Sequence, residues 1–143
     1  MTREERIRAA IAGRETDRVP VAAWMHLSEH DQDPISLAEA EVELTEKYDF
    51  DYIKMMPFGL YSTQDFGNQV KIYCDPYKEP IVQKFAINSP AGYDSIRAIS
   101  ALQGTYGKQV EFARELAKRR MEAELPIEKV GAELRSMMSW LKK

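Results

Sequence analysis

Apolar and polar positions along this chain change period several times, and each change marks an element. Ile7, Ala10 and Ile11 fall at helical spacing behind Thr2-x-x-Glu5, a capping-box pattern, and Gly13 suits the stop. A polar turn, Arg14–Arg18, feeds Val19-Pro20-Val21-Ala22-Ala23-Trp24-Met25, an apolar run without alternation. Such a run predicts a strand covered on both faces, with Pro20 at its start or on an edge. His26–Pro34 is a polar loop. Ser36 and Glu39 repeat the capping box. Leu37, Ala40, Leu44 and Tyr48 then mark one helical face, and Glu39, Glu43 and Glu46 the opposite one, which reads as solvated. A second turn, Tyr48-Asp49-Phe50-Asp51, leads into a second apolar strand, Tyr52–Met56. Strand, helix and strand in this order predict a βαβ unit, the building block of parallel sheets.

Phe58–Ser62 reads as a loop running into a short helix. Val70–Cys74 and Ile81–Ile87 flank the turn-rich Asp75–Pro80 and predict an antiparallel hairpin. Ser89-Pro90 opens a helix near Tyr93–Leu102, which Gly104 and Gly107 break. Lys108–Glu122, with Val110, Phe112, Ala113, Leu116 and Ala117, is a further helix. Pro126–Lys143 predicts an amphipathic helix through Ile127, Val130, Leu134, Met137, Met138 and Leu141. No repeat or interdomain linker divides the chain, so residues 1–143 read as one domain.

Composition narrows the class. The 143 residues are 44% hydrophobic and 30% charged, which suits a globular core. A net charge of −3 gives no general attraction for nucleic acid or an anionic membrane. No apolar run approaches the roughly 20 residues of a membrane span, and the N-terminus lacks a signal-peptide core. Cys74 is the sole cysteine, which excludes an internal disulfide and suits a reducing cytoplasm. The expectation is a soluble cytoplasmic α/β domain with no nucleic-acid or membrane partner and no resident cofactor or metal.

One set of segments carries a family resemblance. Arg3-Glu4-Glu5-Arg6, Ala9-Ala10-Ile11-Ala12-Gly13 and Asp17-Arg18-Val19-Pro20-Val21 are followed by Tyr48-Asp49-Phe50-Asp51-Tyr52-Ile53-Lys54 and Asp65-Phe66-Gly67. Ile87-Asn88-Ser89-Pro90 and Tyr106-Gly107-Lys108-Gln109 then follow in order. Over roughly residues 2–120 this resembles the opening of the uroporphyrinogen decarboxylase family. The resemblance implies a (β/α)₈ barrel with its ligand at the C-terminal ends of the strands. It also implies decarboxylation of a carboxylated tetrapyrrole, or methyl transfer to a corrinoid. A complete barrel takes about 250 residues. The expected fold class is therefore a partial TIM (β/α)₈ barrel: N-terminal βα units, a hairpin excursion and the C-terminal amphipathic helix, weak or inactive alone. Where decarboxylases carry Met-Arg-Gln-Ala-Gly-Arg, this chain has Met25-His26-Leu27-Ser28-Glu29-His30, and no arginine lies between Arg18 and Arg97.

The strand ends nominate Trp24, His26, His30, Lys54, Met56 and Tyr61 as ligand-binding residues. No catalytic residue is assigned. His26 and His30 stand four apart, as helical metal pairs do, but in a loop they read as ligand contacts or exposed polar groups. Lys54 sits in an apolar strand, with its ammonium in water or on a ligand carboxylate. Trp24 and Tyr61 either line a pocket or pack in the core. Cys74 reads as structural and Lys118-Arg119-Arg120 as a solvated face. Met137, Met138 and Trp140 suggest core packing, with dimer contact second. The alternative function is a non-catalytic module that forms a homodimer or binds a partner chain completing the sheet.

Overall fold

The computed structural model describes residues 1–122. The helix expected over Pro126–Lys143, with Met137, Met138 and Trp140, lies outside the described residues. The first helix, α1 (Arg3–Ile11), begins as its capping box dictates. The Thr2 hydroxyl accepts from the Glu5 N–H at 3.2 Å, and the Glu5 carboxylate accepts from the Thr2 N–H at 2.8 Å. It ends at Gly13, whose φ of 66° lets the Arg14 and Gly13 N–H groups turn back onto the Ala9 and Ala10 carbonyls.

Helix α2 (Pro34–Lys47) starts two residues before Ser36. Asp33 is its cap, accepting from the Ile35 and Ser36 N–H groups at 2.9 and 2.8 Å, and Pro34 stands where no N–H needs a partner. It closes as α1 does: the Phe50 N–H reaches the Thr45 carbonyl and the Asp49 N–H that of Glu46, with Asp49 at φ 51°. The buried stripe is Leu37, Ala38, Glu41 and Thr45, rotated from the expected Leu37, Ala40, Leu44 and Tyr48. Tyr48 instead lies exposed, stacked on Phe50.

A short helix, α3 (Tyr61–Gln64), precedes an antiparallel hairpin of β1 (Gln69–Lys71) and β2 (Ile81–Lys84), shorter than the sequence suggests. The helix expected near Tyr93–Leu102 is replaced by a 3₁₀ turn at Pro90–Ser95. Helix α4 (Gly104–Glu122) begins at the glycine read as a breaker. Gly104 has φ 58°, and a Cβ there would meet the Asp65 carboxylate at 2.8 Å. That carboxylate caps α4, accepting from the Thr105 and Tyr106 N–H groups at 2.9 Å each. The core forms where α2 packs on α4: Leu37, Ala38, Ile53, Phe112 and Leu116, with Leu27, Val42 and Met55 against them.

The partial (β/α)₈ barrel is not the fold: the sheet found among the described residues is the two-stranded antiparallel hairpin. Val19–Met25 is extended but outside any ladder, and Ile53 makes only an isolated bridge in Tyr52–Met56. The backbone hydrogen bonds of these segments go elsewhere. One main-chain bond joins them, from the Asp51 N–H to the Val21 carbonyl at 2.7 Å. The Val21 N–H is taken by the Asp51 side chain, the Met56 N–H by Glu41 and the Phe58 N–H by Gln109. Side-chain acceptors thus occupy donors that a parallel strand would need. Nor is the first run covered on both faces, since Val19 and Trp24 are 76% and 63% exposed.

Candidate functional site

An ionic knot joins the start of the chain to the turn after α2. Asp51 is fully buried and carries its charge there. Its carboxylate accepts from Arg6 Nη1 at 2.5 Å, from Arg18 Nη1, and from the Val21 N–H at 2.7 Å. Burial alone would push this carboxyl up; the Val21 bond and the two guanidinium groups reverse that and hold it below the usual carboxylate range. Arg6 also grips Asp17 through Nε and Nη2 at 2.6 and 2.8 Å. That hydrogen-bonded pairing holds Asp17 far below, and Arg6 above, their ordinary values. The exposed Asp49 adds a 2.7 Å bond to Arg3. Arg6 and Arg18 are therefore both occupied by carboxylates of the chain itself.

Two loops, those after Met25 and after Met56, approach each other. The half-buried His26 ring stands edge-on to Trp24, with centroids 5.3 Å apart. Its other neighbour is Gly59, where a Cβ would lie 3.4 Å from the imidazole Cε1. The loop after Met25 and the loop after Met56 thus run close together. Asp31 lies buried in the same region and donates nothing; its Oδ1 accepts from Gln32 Nε2 at 2.8 Å. Burial pushes the Asp31 carboxyl up, while Gln32, His26 and Lys108 pull it part of the way back. Lys108 arrives from α4 and donates to the Gln32 carbonyl at 2.9 Å. Beside it Gln109, buried, accepts from the Phe58 N–H at 3.3 Å. The cluster offers an imidazole, an exposed indole and an ammonium, a set able to stack on a flat ring and donate to a carboxylate.

A second feature lies beneath Met56. Glu41 is only 3% exposed, although it stands on α2 among residues that read as a solvated face. Its Oε1 accepts from the Met56 N–H at 2.6 Å, and its Oε2 has no hydrogen-bond partner. Burial pushes this carboxyl up to about 8, against the single opposing bond from Met56. Beside it is a cavity of about 10 Å³, lined among others by Met25, Leu27, Thr45, Tyr52 and Lys54. That is room for about one water molecule.

The structure divides the six nominated residues. Trp24 and His26 share the loop junction with Gly59. Lys54 and Met56 line the Glu41 cavity. Tyr61 packs edge-on to Tyr106 of α4 at 5.4 Å. His30 bonds through Nδ1 to Ser36 Oγ at 2.7 Å, which ties it to the start of α2. Among the described residues no three His, Cys, Asp or Glu side chains are grouped to hold a metal ion. Sequence reasoning passed over Asp31, Glu41 and Lys108. Lys108 and Gln109 did lie in a segment that carried the family resemblance, and Glu41 stands four residues after Leu37 and four before Thr45, on the core stripe.

Lys118 and Arg119 meet carboxylates: Arg119 Nη2 bonds Glu39 Oε1 at 2.7 Å, linking α4 to α2. Among the described residues no helix is long and apolar enough to cross a membrane. Compared with known proteins, the chain matches no family model and no solved structure.

Proposed function

We propose that this chain is a uroporphyrinogen-decarboxylase-like domain that takes a small ligand of the tetrapyrrole or corrinoid class on the two loops that run close together. The related chemistry is loss of a carboxyl group from a tetrapyrrole, or methyl transfer, weak or absent in this chain by itself. The observation that carries the reading is the close approach of Gly59 to the His26 ring, where a Cβ would lie 3.4 Å from Cε1. It joins the His26–His30 and Met55–Tyr61 stretches, the two that the resemblance makes ligand-bearing. Exposed Trp24 gives a flat ring a surface to stack on. Arg6 and Arg18 are held by Asp17 and Asp51, so a ligand carboxylate would meet Lys108 instead. The exposed thiol of Cys74 supports a cytoplasmic setting.

The test is an absorbance titration with uroporphyrin and, separately, with cobalamin, on the wild-type chain and His26→Ala. Saturable binding that weakens at least tenfold in the variant is expected. No saturable binding of either compound at high micromolar concentration would refute the reading.

A second reading, a module that dimerises through its own extended segment, is favoured by one observation. Val19, Val21, Trp24 and Met25 are all exposed on a stretch that joins no ladder. Light scattering should then give twice the chain mass for the wild type and the single-chain mass for Val19→Asp. A wild-type monomer at 100 micromolar or so would end this reading.

A further inference from the structure

We propose that the apolar stripe of residues 126–143 seats on the exposed side of the run Val19–Met25, so that the chain covers this surface with its own continuation after α4. The inference goes beyond ligand binding and uses the other side of the run from Trp24 and His26. The competing occupant is a second copy of the chain.

The surface is continuous with the core. Alternate residues of an extended run share a side. Trp24 and His26, edge-on to each other, mark one side. Ala23 and Met25 mark the other, and both line the Glu41 cavity with Leu44 and Phe50. Val21 and Val19 carry this second side onward, and both are exposed, as is Met25. Tyr48, exposed and stacked on Phe50, borders it. An exposed apolar patch of this kind marks an interaction surface.

The path of the chain points to the occupant. Lys108 bonds Gln32, just before α2, and Arg119 bonds Glu39 within it. Helix α4 therefore runs beside α2 in the same direction and carries the chain toward the Lys47 end. Just past that end, Asp51 bonds both the N–H and the carbonyl of Val21. The exposed side thus begins where α4 delivers the chain. Residues 123–125 can bridge up to about 10 Å. Ile127, Val130, Leu134, Met137 and Leu141 then follow at spacings of 3, 4, 3 and 4, one side of a helix by sequence. A helix over residues 126–143 would reach about 27 Å, and the extended run from Val19 to Met25 covers about 20 Å. Laid from Val19 toward Met25, the stripe brings Lys142 and Lys143 toward the loop after Met25, where Glu29, Asp31 and Asp33 stand without a lysine or arginine.

The experiment is methyl NMR on the full wild-type chain with labelled valine, leucine and methionine. The proposal predicts nuclear Overhauser contacts from the Val19 or Val21 methyls to those of Leu134 or Met137. They should arise within one chain, so they are absent from the between-chain spectrum of a sample mixing differently labelled chains. They should also persist on roughly tenfold dilution. In Met137→Asp the Val19 and Val21 signals should shift while the Trp24 indole N–H stays in place. Contacts found only between chains overturn the proposal in favour of a second copy. No contact from either valine to residues 127–141 overturns it outright. Both outcomes are read on the wild type, so they stand whether or not the variant folds.

Discussion

Replacing Asp51 by alanine probes the knot that ties Arg6, Arg18 and Val21 together. The side chain is completely buried and accepts from Arg6, Arg18 and the Val21 N–H. Removing it strands the Val21 donor and leaves two guanidinium groups facing a site without their shared anion. Breaking a buried ion pair from one side costs roughly 3–5 kcal/mol, because the remaining charge stays desolvated. Arg6 keeps its two bonds to Asp17, and Arg18 is partly exposed to water, which places the expected loss at the lower end, about 3 kcal/mol. Domains of this size are stable by roughly 5–15 kcal/mol, so the loss is large but survivable. Asp49→Asn is the control. It removes the exposed pairs with Arg3 and Arg18 while tolerating the φ of 51°, and exposed pairs contribute about 1 kcal/mol or less. Urea unfolding followed by far-ultraviolet circular dichroism measures both. If Asp51→Ala costs no more than Asp49→Asn, the knot is not the anchor described.

Other consequences follow from the same geometry. Because the Glu41 carboxyl is raised from 4.5 to about 8 in the folded chain, the native state holds a proton that the unfolded state releases. Its contribution is full below pH 4.5 and is lost as pH rises through 8, by up to ~4–5 kcal/mol; urea midpoints should fall over this range in the wild type and less steeply in Glu41→Gln. Asp51 and Asp65 are both held below the usual carboxylate value, so their contribution is present above about pH 4 and is lost on acidification below it, giving a second fall in urea midpoint on the acid side. Asp65→Ala uncaps α4 at Thr105 and Tyr106 and should cost about 1–2 kcal/mol, with faster amide exchange in the first turn of that helix. Gly104→Ala should lower the urea midpoint as well, since φ 58° and the carboxylate 2.8 Å from the new Cβ both oppose it.

The parts of the fold legible in the sequence were those set by local chemistry. The capping box at Thr2, the stop at Gly13 and the hairpin around Asp75–Pro80 depend on a few neighbouring residues, and the structure contains them. The parallel unit was not legible, because an apolar run looks the same whether a neighbouring strand or a side chain satisfies its backbone. Asp51, Glu41 and Gln109 take those donors from 30, 15 and 51 residues away, and no local pattern announces that. Gly104 shows the same limit in reverse. Its glycine signalled a break, yet Asp65, distant in sequence, turned the position into a helix start. In the candidate site, His26 was nominated from its place just after an apolar run and Trp24 from the end of that run. Lys108 reaches them only through the packing of α4 on α2, and Glu41 was hidden by an acidic face that rotates into the core.

If the proposed function holds, a ligand sits on the loops that approach each other at His26 and Gly59. Chemical-shift mapping tests it most directly: the labelled chain is titrated with uroporphyrin and with cobalamin, and every backbone signal is followed. The account predicts that perturbations concentrate at residues 24–32 and 56–61 and at Lys108 for one of these compounds. Perturbations confined to the β1–β2 hairpin, or none at ligand concentrations in the high micromolar range, would contradict it.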